Sequence, residues 1–113
     1  MHIFYLIGDW HDRKLVIDNN EPVDTGLYQL FSYDKRLFGV DGPGDFIELD
    51  ENANPLNVIY AYEMAPSSNA ALQLGDMFVI YQGGGGYEGT RFGWFQALYD
   101  PKTGDLFELY PKN

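Results

Sequence analysis

The residues with the clearest potential for chemistry in this sequence are carboxylates concentrated in one stretch. Residues 41–51 contain no base and five acids: Asp41, Asp45, Glu48, Asp50 and Glu51. On a strand, Glu48 and Asp50 would share a face, where two close carboxylates can act as acid and base if they are buried. Because Asn52 and Asn54 follow, the stretch favours a solvated acidic surface instead. Such a surface suits a partner rich in Lys and Arg, with gains mainly in association rate and specificity.

An acidic contact surface also needs a buried apolar anchor. We predict that Trp10 and Tyr87 are anchors of the partner-binding surface and that Glu88 adds to its charge. Tyr33 is a further candidate anchor, whereas Trp94 is expected to pack in the core. A second, looser acidic region consists of Asp9, Asp12, Asp18, Glu21 and Asp24.

His11 is the residue whose neighbours best suit acid–base or metal chemistry, because Asp9 and Asp12 flank it. Carboxylates beside a histidine raise its pKa and can add oxygen ligands to a metal site. The sequence has neither a His-Glu-x-x-His spacing nor a Gly-x-Ser-x-Gly elbow. We therefore expect an exposed turn histidine, no catalytic residue, no metal and no cofactor.

A glycine-rich segment begins with Gly83–Gly86 and ends near Arg91. Glycine-rich turns can hold a phosphate through backbone N–H groups, but a P-loop also needs a Gly-Lys-Ser/Thr ending and a following helix. Here a strand is predicted to follow, and Glu88 would repel an anion. The segment is therefore predicted to be a hairpin loop that contacts a partner.

A Gly-Asp step followed by apolar residues occurs three times, at Gly44-Asp45, Gly75-Asp76 and Gly104-Asp105. Glycine permits the positive φ of a tight turn, and an aspartate can accept hydrogen bonds from turn N–H groups. We expect turns that precede strands, with each Asp capping its own turn. A calcium site would need these carboxylates to converge on one point, which separate turns do not require. A duplicated hairpin architecture is a weaker interpretation of the same repeat.

The order of short apolar runs and turns predicts the fold. Strands are expected at 2–7, 14–17, 37–40, 45–49, 77–81, 92–99 and 106–110, and the first of these is expected to be central or covered on both sides. Segments 25–36 and 56–64 fit helix and strand spacing, and their β-prone residues favour strands. Residues 66–75 are the best helix candidate, with a Ser cap and a Gly stop.

Composition and net charge limit the number of domains, the kinds of site and the classes of partner that this chain can have. The chain has 113 residues, 17% aromatic residues, no cysteine and a net charge of −10, which indicates one domain and excludes disulfides and thiolate metal sites. The negative field disfavours nucleic acid and anionic membranes as direct partners. The short apolar run at the N-terminus does not fit a signal peptide, so we expect a cytoplasmic protein.

These observations predict a single domain, residues 1–113, of mainly β class or of α+β class with one or two short helices. Antiparallel hairpins should form a small sandwich or an open barrel. The favoured function is non-enzymatic: binding and inhibition of a basic, nucleic-acid-handling protein. One alternative is a small-ligand-binding β-barrel or an enzyme with Gly83–Gly86 or His11 at its site. The other is a structural homo-oligomer such as a homodimer.

Overall fold

Antiparallel strands make up the regular structure of this computed structural model, which describes residues 3–9, 12–42, 44–61, 69–82 and 94–108. Within those residues the strands are β1 (Phe4–Ile7), β2 (Lys14–Ile17), β3 (Leu27–Tyr33), β4 (Arg36–Asp41), β5 (Phe46–Leu49), β6 (Pro55–Tyr60), β7 (Asn69–Leu74), β8 (Met77–Gln82), β9 (Trp94–Asp100) and β10 (Asp105–Glu108). They form a first hairpin, β1-β2, and two four-stranded sheets with the orders β3-β4-β5-β6 and β10-β9-β8-β7.

The middle sheet, β3 to β6, is covered on both faces. Alternate residues of its strands point in opposite directions, as the pleat requires. Phe38, Val40 and Phe46 face the second sheet and join its Phe78 and Ile80 in one buried cluster. The opposite face packs against the first hairpin through a second cluster, whose buried members are Leu15, Leu27, Ile47, Leu49 and Ala53. The result is three layers in one compact domain, which confirms the predicted mainly β fold built from antiparallel hairpins.

Aromatic rings fill the layer between the two larger sheets. Phe38 lies 5.0 Å from Phe78 between ring centroids, and Phe46 lies 5.2 Å from the same ring. Tyr99 contacts Phe38 and Phe46 edge-on at 6.0 and 5.8 Å. Edge-on and tilted contacts are the arrangements that aromatic quadrupoles favour, so the rings add specific geometry to the burial of apolar area.

The helix predicted over residues 66–75 is wrong in the part that the structure describes, because β7 is a strand. It pairs residue by residue with β8, from Asn69 opposite Gln82 to Leu74 opposite Met77. A helix of about two turns is marginal on its own, whereas this pairing satisfies the backbone and buries Ala71. Tertiary contacts therefore outweigh the helix propensity of the Ala-Ala-Leu segment.

The prediction that the first strand is central or covered on both sides is also wrong. β1 belongs to a two-stranded sheet and alternates between half-buried and exposed residues. Phe4 and Leu6 pack on the middle sheet, while Tyr5 and Ile7 point outward. By contrast, the strand preferences for 25–36 and for the described part of 56–64 are confirmed by β3 and β6.

Candidate functional site

The acidic stretch of residues 41–51 is divided by β5. β4 and β5 pair with Val40 opposite Phe46 and Leu37 opposite Leu49. Asp41 and Asp45 therefore lie at one end of this hairpin, and Asp50 and the exposed Glu51 lie at the other. A strand rises about 3.3 Å per residue, so the two ends are separated by roughly 13 to 16 Å. The sequence-predicted surface is thus two groups of acids, and tertiary neighbours determine what each group can do.

Two of these acids form the turns beside them. The Oδ1 atom of Asp41 accepts hydrogen bonds from the backbone N–H groups of Gly44 and Asp45, at 3.1 and 2.9 Å. The Oδ1 atom of Asp50 accepts from Asn52 at 2.8 Å and from Asn54 at 2.9 Å. Because one oxygen satisfies two turn donors in each case, both carboxylates have a structural role whether or not they also meet a partner.

Glu48 is joined to a base that is distant in sequence. Its two carboxylate oxygens accept hydrogen bonds from Nε and Nη2 of Arg36, each at 2.9 Å. The same guanidinium donates through Nη1 to the carbonyl of Pro101 and lies 5.0 Å from the centre of the Phe38 ring. Hydrogen bonding to Glu48 raises the pKa of Arg36, which remains charged. The Glu48 charge is therefore neutralised locally.

Three turns that are far apart in sequence meet near this pair. Lys102, in the β9-β10 turn, pairs with Asp76 of the β7-β8 turn, with Nζ and Oδ2 3.2 Å apart. The charges of Asp34 and Asp76 both act on Tyr33, and that of Asp100 acts on Lys102. Together with the end of β5 they form an acidic turn cluster, whose acids are Asp34, Glu48, Asp50, Glu51, Asp76, Asp100 and Asp105. The bases there are Lys35, Arg36 and Lys102, so the acids outnumber them.

Tyr33 is the aromatic residue of the acidic turn cluster. Burial raises the pKa of its phenol, and the negative charge of Asp76 raises that pKa further. A hydrogen bond to Asp76 acts in the same direction. The phenol therefore stays neutral and can donate a hydrogen bond well above neutral pH. Tyr33, one of the candidate anchors, therefore lies beside acids of the cluster.

A groove of about 1320 Å³ borders this cluster. Apolar side chains of the first hairpin and the middle sheet line it, among them Phe4, Leu6, Leu30 and Leu37. Its polar lining includes Arg13, Lys35, Arg36, Glu48, Asp50 and Glu51. The volume exceeds the usual range of about 300–1,000 Å³ for small-molecule sites. The groove is open to solvent along its length and is not an enclosed cavity.

The Gly-Asp repeat is a set of turns, as predicted, but in two of the three an aspartate before the glycine accepts the turn hydrogen bonds. Gly44, Gly75 and Gly104 have φ values of 107°, 60° and 81°, in the positive region that favours glycine. The carboxylates that accept the turn N–H groups stand before the glycines, at Asp41 and at Asp100, whose Oδ1 accepts from Lys102 at 2.9 Å. Asp76 pairs with Lys102 instead. The prediction that the Asp after each Gly caps its turn is therefore wrong for Asp76.

Several sequence-predicted residues lie outside the described residues. They are Trp10, His11, Gly83–Gly86, Tyr87 and Glu88. Their predicted roles as anchors, as a loop contact or as an alternative site stay predictions.

In the part of the chain that the structure describes, no group of three or more His, Cys, Asp or Glu side chains is arranged to hold a metal ion. The same residues include no helix of the length and apolarity needed to cross a membrane.

Comparison with known proteins gives no family assignment. No protein-family model, curated protein sequence or solved structure matches this chain.

Sequence reasoning missed Asp34, Asp76, Asp100 and Asp105 as members of one surface. Each lies in or beside a short hairpin turn, and alternate hairpin turns of an antiparallel meander lie at the same end of the sheet. That rule predicts which turns share an end within a sheet. It does not predict that the two four-stranded sheets place their turns side by side.

Proposed function

We propose that this protein is a non-enzymatic binding domain that recognises and blocks a basic protein surface, of the kind that handles nucleic acid. The observation that carries the proposal is the acidic turn cluster beside an apolar groove. The chain has a net charge of −10, and the cluster places exposed acids around the half-buried Tyr33. Binding in the cytoplasm is part of the same proposal.

The two parts of this surface have different energetic roles. Exposed carboxylates steer a basic partner and exclude acidic ones, mainly by raising the association rate. The apolar groove supplies the desolvated contacts that hold the complex, because affinity usually depends on a few buried anchors. A partner with Lys or Arg around a protruding apolar side chain matches both features, and occupation of its basic surface would exclude nucleic acid.

The test uses three exposed acids of the cluster whose carboxylates form no turn hydrogen bond: Asp34, Glu51 and Asp105. The triple variant Asp34→Asn, Glu51→Gln, Asp105→Asn removes three charges. Its matched control is Glu21→Gln, Asp24→Asn, Glu108→Gln, which removes three exposed charges outside the cluster. A partner captured from the native host and identified by mass spectrometry is purified, and its binding to each protein is measured by calorimetry and stopped flow.

The cluster variant is expected to associate on the order of tenfold more slowly, whereas the control should stay near the wild-type rate. Wild-type affinity should also fall as salt rises. The wild-type protein should displace a labelled oligonucleotide from the partner. Equal effects of the two triple variants, or capture of no basic partner, would show that the cluster is only a solubilising surface.

A further inference from the structure

The outward face of the second sheet is apolar, and none of the other described strands packs on it. In β7 to β10, the residues that alternate with the buried core positions point away from the middle sheet. Cross-strand pairing sets Leu72 beside Val79, Val79 beside Leu98, and Leu98 beside Phe107. The next row along pairs Ala70 with Tyr81 and Tyr81 with Phe95. We call these two rows, with Leu74 and Met77, the outer face.

Several side chains of the outer face are large, apolar and exposed, whereas Val79 at its centre is only 7% exposed. Leu72 and Phe95 are each 46% exposed, Phe107 is 51% exposed and Leu74 is 57% exposed. Neither of the two rows includes a charged residue. Monomeric proteins seldom leave a contiguous apolar patch of more than a few hundred Å² in water, and larger patches mark interaction surfaces.

The size of the outer face can be compared with what a dimer needs. An aromatic side chain carries about 150–250 Å² of surface, so the half-exposed Phe95 and Phe107 alone contribute roughly 200 Å². With the leucines and the partly buried side chains of the rows, each copy would bury on the order of 500–600 Å². Two copies would then bury about 1,000–1,200 Å², which is where specific interfaces begin. A reversible dimer of moderate affinity is the expectation.

We infer that the outer face packs against the same face of a second copy, forming a two-fold symmetric homodimer. The two rows offer no countercharge to a basic partner, and the acids Asp100 and Asp105 lie only at the turn end of the face, beyond Leu98 and Phe107. An identical apolar sheet is complementary to the two rows. Sheets pack face to face about 10 Å apart in β-sandwiches, and a two-fold axis gives each copy the same contacts. An axis in the interface plane and perpendicular to the strands places the acidic turns of the two copies at opposite ends.

This inference is independent of the acidic turn cluster and has the opposite salt dependence. Both copies are strongly acidic, so added salt screens their repulsion and should tighten the dimer. The same salt should weaken binding to a basic partner.

Sedimentation equilibrium over a wide concentration range tests the dimer directly. The wild-type protein should move from monomer to dimer mass as concentration rises, and more readily at high salt. Leu72→Lys and Phe107→Lys, on two different strands, should each weaken association by about tenfold or more, because a buried unpaired charge is costly. The added lysine lowers the net negative charge, so greater repulsion would not explain the loss.

The matched control is Val58→Lys on β6, where the side chain is 53% exposed and lies outside the outer face. It should dimerise like the wild type, and circular dichroism verifies that every variant is folded. A wild-type protein that stays monomeric throughout, or equal weakening by Val58→Lys, would overturn the inference. The triple variant of the acidic turn cluster should still dimerise, so the two proposals can fail separately.

Discussion

At the scale of single residues, the acids of this chain divide into those that build the fold and those that face solvent. Glu48 and Asp50 both make hydrogen bonds that hold strands or turns. Glu51 is exposed and carries charge at the surface. Reversing the charge of all three together would therefore alter the fold as well as the surface. A test of partner binding needs neutral substitutions at exposed acids instead.

The Arg36–Glu48 pair gives a stability prediction. Arg36→Lys keeps the charge but loses the two-pronged contact with Glu48, so we expect the free energy of unfolding to fall by about 1–2 kcal/mol. Urea denaturation measures the change. The exposed Lys102–Asp76 pair is the control, because solvent screens it and Lys102→Met should lower the free energy of unfolding less than Arg36→Lys does. An equal loss in both variants would contradict a special role for the Arg36 contacts.

Tyr33 gives a prediction about pH. Because burial and Asp76 raise the pKa of its phenol in the folded protein, the stabilisation they supply is complete below the pKa of the unfolded chain, about 10. It is lost as pH rises through the folded pKa. Asp76→Asn should lower the Tyr33 pKa, as followed by NMR of ¹³C-labelled tyrosine. Asp105→Asn is the control and should leave that pKa closer to wild type; an equal decrease would show that Asp76 has no specific effect.

At the scale of elements, the two four-stranded sheets are joined where their edge strands meet. The side chain of Gln29 on β3 accepts a hydrogen bond from the Ala71 N–H at 2.8 Å and donates one to the Ala71 carbonyl at 3.1 Å. Gln73 on β7 donates to the carbonyl of Ser32 at 3.0 Å. These amides satisfy backbone groups that edge strands leave unpaired, and they protect the edges from other chains.

Gln29→Ala should therefore leave the backbone N–H and carbonyl of Ala71 without hydrogen-bond partners, or expose them to water. We expect a loss of about 1–3 kcal/mol in unfolding free energy and faster hydrogen exchange at the Ala71 amide. Gln73→Ala removes one exposed hydrogen bond and should cost less. Unchanged exchange at Ala71 in Gln29→Ala would show that the contact does not protect this edge.

At the scale of the whole molecule, two buried clusters hold three layers together. Phe38 belongs to the cluster between the larger sheets, and Leu15 to the cluster under the first hairpin. Both side chains are almost fully buried. The layers share the middle sheet, so they are expected to unfold together.

Phe38→Ala should cost about 3–5 kcal/mol and Leu15→Ala about 2–5 kcal/mol, each through lost burial and a residual cavity. In both variants, fluorescence and circular dichroism should report one coincident transition. Val58→Ala, at an exposed apolar position of β6, is the control and should change stability little. Separate transitions in Leu15→Ala would show that the first hairpin detaches on its own.

Local sequence determined most of the strands and turns of this protein. Alternating β-prone residues specified β3 and the described part of 56–64, and Gly-Asp steps marked turns because they need positive φ. Local patterns gave the wrong prediction at β7, where pairing with β8 outweighs helix propensity. They were also wrong for β1, whose apolar run is covered on one side only. Those outcomes depend on neighbours that local patterns do not contain.

The composition also determined the negative charge, but only the tertiary structure decided where it acts. Contacts between distant residues neutralise Glu48 and bring Asp34 and Asp76 together around Tyr33. They also decide which apolar strand faces are covered, because among the described strands the middle sheet packs against two neighbours and the second sheet against one. Charge is a sum over residues and can be read from a sequence, whereas a surface depends on which distant elements pack together.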